Sequence, residues 1–144
     1  AQDADPYTRA AVSRFGEMPL GPAEGVTFVA RHDDSGAGLD GKCEYRLSGK
    51  PVQARFWTLA LLSEKGAPSE GGDRASFTSQ EVVRGENGEF DIVTSPRARA
   101  GNWLRSPADA RFVLAMQLYD TTIGSSPASI AGAGLPKISK GACR

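Results

Sequence analysis

The stretch ARFVLAMQLY, residues 110–119, alternates large apolar side chains with smaller or polar ones along its whole length. Every second residue from position 112 to position 118 is large and apolar, whereas the intervening set starts with Arg111 and includes Gln117. A period of two residues is typical of a β-strand that buries one face. The stretch therefore predicts a strand with one face in the core and the other face outside it.

Other stretches show the same period, or an apolar run of strand length between turn residues. We predict strands at residues 26–30, 43–47, 53–62, 76–79, 81–84 and 89–94. Residues 53–62 are largely apolar on both faces, which predicts a central strand. Asn87-Gly88 is a strong hairpin signal between the last two strands. The glycine-rich residues 63–74 predict a long exposed loop.

The two ends of the chain depart from this pattern. Asp5-Pro6 is typical of a helix start, so we predict a short N-terminal helix over residues 5–15. Residues 120–144 contain few large apolar side chains and predict a covering tail. We expect residues 1–144 to form a single domain, an all-β, two-layer antiparallel β-sandwich that is jelly-roll-like and carries the short N-terminal helix.

The charge balance limits the classes of partner. The 144 residues include 17 basic and 17 acidic side chains, and the formal net charge is zero. Because nucleic acid and an anionic membrane surface both require a broad positive field, we predict no nucleic-acid binding and expect membrane contact only through an N-terminal anchor. No apolar run reaches the roughly 18 to 20 residues that cross a bilayer. The chain begins at Ala1, so we expect an N-terminal signal peptide or membrane anchor to precede it.

Cys43 and Cys143 are the only two cysteines in the sequence. They are too few for a zinc site made of cysteine alone, and they are not spaced as a C-x-x-C redox pair. A single long-range disulfide between them is the favoured interpretation, and two separate thiols in a reducing compartment are the alternative. The disulfide would indicate an oxidising compartment and would pin the C-terminal segment to the body of the domain.

Catalytic and metal-binding patterns are weak. His32 is the one histidine, and a serine hydrolase would need a base, an orienting acid and a nucleophile in a G-x-S-x-G turn. The acidic turn at residues 33–41 lacks the alternating carboxylates of an EF-hand loop, and its Asp and Gly residues also suit a tight connection. We predict no catalytic residue, no metal site and no cofactor. Whether the protein is an enzyme stays open.

Arginine and aromatic residues are the candidates for ligand binding. Guanidinium groups at outward strand positions can converge on one face and bind carboxylate, phosphate or sugar hydroxyl groups, and solvated arginines paired with acids are the alternative. Trp57 can be a core residue or a stacking surface, and Trp103, after Gly101-Asn102, can be a plug or a binding residue. We favour the core and the plug. The candidate ligand-binding residues are Arg55, Trp57, Arg74, Trp103, Arg111 and Tyr119.

Several short motifs occur in an order that resembles a known bacterial family. The motifs are Leu39-Asp40-Gly41, Cys43-x-Tyr45-Arg46-Leu47-x-Gly49, Ala54-Arg55-Phe56-Trp57-Thr58-Leu59, Arg74-x-Ser76, Gly101-Asn102-Trp103-Leu104 and Leu118-Tyr119. Over about residues 5–143 the sequence resembles the family catalogued as domain of unknown function 1214. The resemblance implies a jelly-roll-like β-sandwich. For short members it implies an envelope protein of alphaproteobacteria and their relatives, anchored by one N-terminal transmembrane helix.

The resemblance also has implications for partners. Longer relatives carry another module of unknown function, catalogued under 1254, ahead of this one, so a separately encoded partner of that type is an expectation. The sequence departs from the family pattern at Gln117, where the family tends to have arginine. It departs again at Asp120-Thr121, where the family tends to have Trp-Pro.

These observations favour a periplasmic cell-envelope module that is non-catalytic and binds a partner protein or an envelope glycan or lipid. We expect an N-terminal segment to tether it to the inner membrane. Two alternatives stay open. One is an enzyme that acts on a carbohydrate or a small acid in a sandwich pocket, and the other is a structural subunit of a complex with the 1254 module.

Overall fold

The computed structural model describes residues 7–9, 26–51, 54–68, 75–119 and 135–143. All regular elements within these ranges are β-strands. They are β1 (Tyr7–Arg9), β2 (Val26–Ala30), β3 (Cys43–Gly49), β4 (Phe56–Ser63), β5 (Ser76–Thr78), β6 (Phe90–Ser95), β7 (Trp103–Arg105), β8 (Phe112–Tyr119) and β9 (Lys137–Cys143). In the described part of the chain, no helix has the length and apolarity needed to span a membrane.

The first sheet has five strands in the order β1-β2-β8-β4-β5, and its neighbouring strands are antiparallel. β8 is the middle strand, with Met116 opposite Phe28 on β2 and opposite Leu59 on β4. Because alternate residues of β8 point into the core, its inward side chains are almost completely buried. The predicted strand is confirmed, but its other face is also partly buried, since Val113 and Ala115 pack with Val29 in a second apolar cluster. β4, predicted to be central, lies one place from the middle of the sheet.

The second sheet has four strands in the order β7-β6-β3-β9. β3 pairs antiparallel with β6 and β9, whereas β6 and β7 run parallel, which is an exception to the predicted antiparallel pairing. At one end of the sheet Cys43 lies opposite Cys143, and a disulfide joins the two residues. The predicted disulfide is therefore confirmed.

The inner faces of the two sheets form one apolar core. Trp57 of the first sheet stacks on Phe90 of the second, with ring centroids 5.2 Å apart. A Cβ atom on Gly49 would lie 2.6 Å from the Phe90 ring, so the absence of a side chain at this position makes room for the stack. Tyr45 meets Phe112 edge-on across the same core, at 5.9 Å between centroids. These contacts confirm the predicted β-sandwich.

The predicted N-terminal helix is wrong where the structure describes it. Tyr7–Arg9 forms strand β1, with Tyr7 opposite Ala30 of β2. Tyr7 is buried against the core, and its hydroxyl donates a hydrogen bond to the Pro136 carbonyl over 2.9 Å. Tertiary pairing thus overrides the local helix-start signal of Asp5-Pro6. Residues 5–6 and 10–15 lie outside the described residues.

Two further segments differ from their predictions. Residues 81–84 form turns rather than a strand, so Gly88, at φ 82°, closes a tight turn ahead of β6 and not a hairpin between two strands. In the predicted covering tail, Lys137–Cys143 forms the edge strand β9 and places Ile138 in the core. Residues 120–134 of that tail, and residues 69–74 of the predicted loop, lie outside the described residues.

Candidate functional site

Both tryptophans are buried, with exposed fractions of 2 % for Trp57 and 6 % for Trp103. Trp57 lies in the sandwich core. Trp103 lies on the edge strand β7, where its Nε1 donates a hydrogen bond to the Ser95 carbonyl over 3.0 Å. The guanidinium of Arg105 sits 4.7 Å from the centre of the Trp103 ring. Neither indole therefore presents an open face to a ligand.

The turn before Trp103 is held by Asn102. Its Oδ1 accepts a hydrogen bond from the Val83 amide over 2.9 Å, and its Nδ2 donates to the carbonyls of Val83 and Asp91 over 2.9 and 3.0 Å. Gly101, at φ 84°, supplies the left-handed backbone that brings this side chain into place. Leu104, the residue after Trp103, packs in the core. The Gly-Asn-Trp-Leu motif thus ties the edge of the second sheet to the connection between β5 and β6.

The candidate arginines do not converge on one point. Arg111 precedes β8 and Tyr119 ends it, so the two residues lie about 26 Å apart at roughly 3.3 Å per residue. Arg111 is exposed and lies over Gly38, where an added Cβ would come within 2.5 Å of its Nη1 atom. Arg74 lies outside the described residues. Arg55 is exposed and directly precedes Phe56, the residue opposite Tyr119, so the structure brings Arg55 and Tyr119 to the same end of the sheet.

At that end, the outer face of the five-stranded sheet carries a polar and aromatic group that we call the Tyr119 cluster. It consists of Thr27, Phe56, Thr58, Gln117 and Tyr119. The Tyr119 hydroxyl donates a hydrogen bond to Gln117 Oε1 over 2.9 Å, and the Tyr119 ring lies 5.6 Å from that of Phe56. Gln117 Nε2 donates to the Thr27 hydroxyl, and the Thr58 hydroxyl donates to Gln117 Oε1, each over 3.4 Å. Gln117 thus connects three strands.

A second polar surface lies on the outer face of the four-stranded sheet. We call it the basic face, and its cations are Arg46, Arg97, Arg99, Arg105 and Lys137. Strand alternation alone points Arg46 and Lys137 away from the core. The pairing of β3 with its neighbours, which brings the other arginines beside them, depends on long-range register. Sequence reasoning therefore missed this surface.

Glu44 is one of two acids on the basic face, and it lies near the start of β3. A hydrogen bond from Arg99 lowers the pKa of the Glu44 carboxyl, and burial acts in the opposite direction. A second hydrogen bond, donated by the Ser95 hydroxyl over 3.0 Å, and the charge of Arg97 lower the pKa further. Glu44 is therefore ionised and locally neutralised by arginine.

The acidic turn between β2 and β3 uses its carboxylates to hold its own backbone and that of β9. Asp33 is buried, and its Oδ1 accepts hydrogen bonds from the Ser35 amide and hydroxyl and from the Ala37 amide, over 2.8, 2.6 and 3.1 Å. Asp34 Oδ2 accepts a hydrogen bond from the Ile138 amide over 3.1 Å. Among the described residues, no group of three or more His, Cys, Asp or Glu side chains is placed to hold a metal ion.

Asp33 makes the stability of the fold depend on pH. Burial raises the pKa of its carboxyl, but the hydrogen bonds from Ser35 and Ala37 and the charge of Lys140 bring the pKa below its ordinary value of 3.8. A carboxyl with a lowered folded-state pKa stabilises the fold fully above its unfolded-state pKa. This stabilisation is lost as the pH falls through the folded-state pKa.

We therefore expect Asp33→Asn to lower the free energy of unfolding by about 1–2 kcal/mol at pH 7. Urea titrations between pH 7 and pH 2 should show the deficit shrinking below about pH 4, because only the wild-type protein loses this stabilisation on protonation. Asp109→Asn, at an exposed site, is the control. A deficit that stays constant down to pH 2 would show that the Asp33 charge does not contribute.

Two packed sheets with an apolar interior, and with polar clusters on both outer faces, define a β-sandwich domain. The chain belongs to the family described as protein of unknown function (DUF1214), whose profile matches residues 24–123. The resemblance read from the sequence motifs is therefore confirmed at the level of the family.

Two solved structures resemble the domain. The VPA0106 protein from Vibrio parahaemolyticus has a TM-score of 0.72 and 20 % identity over 88 % of this chain. A putative uncharacterized protein from Burkholderia cenocepacia has a TM-score of 0.57 and 20 % identity over 99 % of this chain. This chain covers 33 % and 37 % of the two proteins, about a third of their length. At this identity the likeness shows the fold alone. No curated protein matches the sequence.

Proposed function

We propose that this domain is a non-catalytic binding module of the bacterial envelope, which docks on a companion protein module through the Tyr119 cluster and Arg55. The observation that carries the proposal is the pairing of a half-buried aromatic surface with an adjacent exposed arginine. Tyrosine and arginine are the residue types that dominate the energy of protein interfaces, because each combines a large contact area with a polar group.

The disulfide supports the compartment in this proposal. Disulfides form and persist in oxidising compartments, so the Cys43–Cys143 bond is compatible with an extracellular or periplasmic location. The family expectation then favours the periplasm, with an N-terminal segment as the tether to the inner membrane.

The arrangement of the polar residues supports binding rather than catalysis. His32 is exposed in the turn after β2, and Oδ1 of the neighbouring Asp33 carboxylate accepts hydrogen bonds from within its own turn. The candidate aromatic residue Trp57 fills the core instead of lining an opening. Tyr119, by contrast, is half-buried on the outer face of the sheet, and the exposed Arg55 lies at the same end of that sheet.

The length of the structural relatives favours a protein as the binding partner of the Tyr119 cluster. In both solved structures about two thirds of the polypeptide lies beyond the part that this chain matches. A sandwich of this type thus occurs beside further protein, and the family expectation names a 1254-type module as that neighbour. The half-buried Phe56–Tyr119 pair is suited to contact such a neighbour.

Site-specific photocrosslinking in intact cells tests the proposal. A benzoylphenylalanine at position 56 should give an adduct that mass spectrometry identifies as a protein with a 1254-type module. The same probe at Val83, which is 70 % exposed on another surface, is the matched control and should give no such adduct. Arg55→Glu should lower the yield at position 56 by about tenfold or more, as expected for an interface residue worth about 1.4 kcal/mol or more.

Three outcomes would overturn the proposal. Equal adducts at positions 56 and 83 would indicate random collision. An adduct only with lipid or glycan at position 56 would assign the Tyr119 cluster to a different class of ligand. An undiminished crosslinking yield at position 56 in the Arg55→Glu variant would show that Arg55 is not part of the interface.

A further inference from the structure

The basic face concentrates positive charge on one side of a protein whose formal net charge is zero. The outward positions of β3, β6, β7 and β9, together with the segment between β6 and β7, carry five cations and two carboxylates, and the formal net charge of the whole chain is zero. The cations are Arg46, Arg97, Arg99, Arg105 and Lys137, and the carboxylates are Glu44 and Asp91. An excess of one sign on one sheet face is a field that attracts ligands of the opposite sign.

The two carboxylates do not cancel this excess. Arg99 is bound to Glu44, and Arg46 lies 3.8 Å from Asp91. The Arg46 and Asp91 side chains are 63 % and 56 % exposed, so solvent screens their attraction and leaves both groups available. Lys137 is exposed at the end of the face, beside Ser48 on the paired strand. The surplus of positive charge is therefore open to solvent.

The β7 edge of the face shows how one of its cations is held. Arg105 donates one hydrogen bond to the Pro96 carbonyl over 3.1 Å and lies over the Trp103 ring. The side chain is thus fixed above a buried aromatic surface, with further guanidinium donors that these contacts do not use. A positioned guanidinium with spare donors suits phosphate oxygens, which accept two parallel hydrogen bonds.

The composition of the face favours a layer of phosphates over a protein. Protein interfaces are centred on aromatic or aliphatic side chains that become fully buried. On this face Trp103 is already covered and Val93 is half-buried, and apart from Glu44 the outward residues of β3 and β9 are serines and cations. Short hydroxyl side chains among arginines and a lysine match a surface of headgroups better than an apolar partner.

We infer that the basic face docks on the phosphate headgroups of an anionic lipid bilayer. The bilayer would contact the outer side of the four-stranded sheet, opposite to the Tyr119 cluster, which lies on the outer side of the other sheet. Attraction of this kind adds up over several basic residues and falls with ionic strength, because salt screens exposed charges. The inference does not depend on the partner proposed for the Tyr119 cluster.

Vesicle flotation with the purified domain tests the inference. We expect the domain to float with vesicles of phosphatidylglycerol and phosphatidylcholine, and not with phosphatidylcholine alone, and we expect 0.5 M salt to release it. Arg46→Glu and, separately, Lys137→Glu should each lower the fraction bound by about tenfold or more, since each reversal changes the face by two charge units. Lys65→Glu makes the same charge change on an exposed turn away from the face and should leave binding within about twofold.

Several results would overturn the inference. The domain could bind neutral vesicles as well as anionic ones, or fail to bind anionic vesicles. Alternatively, Lys65→Glu could lower the bound fraction as much as Arg46→Glu does. Polyglutamate that binds the domain when anionic vesicles do not would assign the face to an acidic protein instead. Thermal melts of each variant show whether the fold is intact, and Lys137→Glu, on a different strand, keeps the test valid if Arg46→Glu unfolds.

Discussion

Gly41→Ala is expected to lower the free energy of unfolding by about 3–5 kcal/mol, enough to unfold a large fraction of a domain of ordinary stability. A Cβ atom on Gly41 would lie 1.6 Å from the Pro107 carbonyl oxygen and 2.9 Å from the Ala110 carbonyl oxygen. Both contacts are with backbone, so no side-chain rotation can relieve them. The Gly41 amide also donates a hydrogen bond to the Ala110 carbonyl over 2.9 Å, and this bond holds the two segments together. Urea titration followed by circular dichroism measures the effect.

Gly36→Ala is the matched control for this substitution. Gly36 has φ 93°, and a Cβ atom there would meet nothing within 4 Å. Its replacement should cost only the backbone penalty, about 1–2 kcal/mol. If Gly41→Ala is no more destabilising than Gly36→Ala, the close approach of the turn before β3 to the segment before β8 does not stabilise the fold.

The Gly41 contact explains part of the family pattern in physical terms. Leu39-Asp40-Gly41 leads into β3, and the segment at Pro107 leads into β8 of the other sheet. Their backbones touch at Gly41, so the motif fixes how the two sheets meet at one end. The Gly49 motif acts in the same way, because it makes room for the ring of Phe90 against Trp57.

Strands were predictable from the sequence where one face is buried and the side chains alternate. β8 and β3 show that alternation and form close to their predicted positions. Residues 81–84 alternate as well, but they form turns that Asn102 holds from a distance through Val83. The N-terminal prediction failed for a similar reason. Asp5-Pro6 is a local signal, whereas Tyr7 is held by long-range contacts, its pairing with β2 and its hydrogen bond to Pro136.

The candidate site was less predictable than the fold. Outward side chains could be assigned strand by strand, but which of them become neighbours depends on sheet order and register. Arg111 and Arg55 both lie at ends of strands in the same sheet, and the pairing of β8 with β4 puts them at opposite ends. The cations of the basic face come together only because β3 lies between β6 and β9. These arrangements arise from long-range contacts that no local pattern encodes.

Reduction of the disulfide is expected to lower the free energy of unfolding by about 4 kcal/mol. Cys43 and Cys143 are separated by 100 positions in the sequence, so the bond restricts a long segment of the unfolded chain. In the folded state β9 contributes little packing of its own, since Ile138 is its one buried residue and the others are exposed. The stabilisation is therefore expected to act chiefly on the unfolded chain.

Urea titrations with and without reductant measure this effect. We expect the reduced protein to keep its near-ultraviolet circular dichroism in the absence of urea, because the Ile138 and Asp34 contacts still hold β9 in place. The midpoint should fall on reduction, and the steepness of the transition should rise as the unfolded chain expands. The double variant Cys43→Ser/Cys143→Ser should have the midpoint of the reduced protein, and reductant should not change that midpoint. A midpoint that reductant leaves unchanged, in a protein shown by mass spectrometry to be reduced, would contradict the prediction, because it would show that the bond does not stabilise the fold by restricting the unfolded chain.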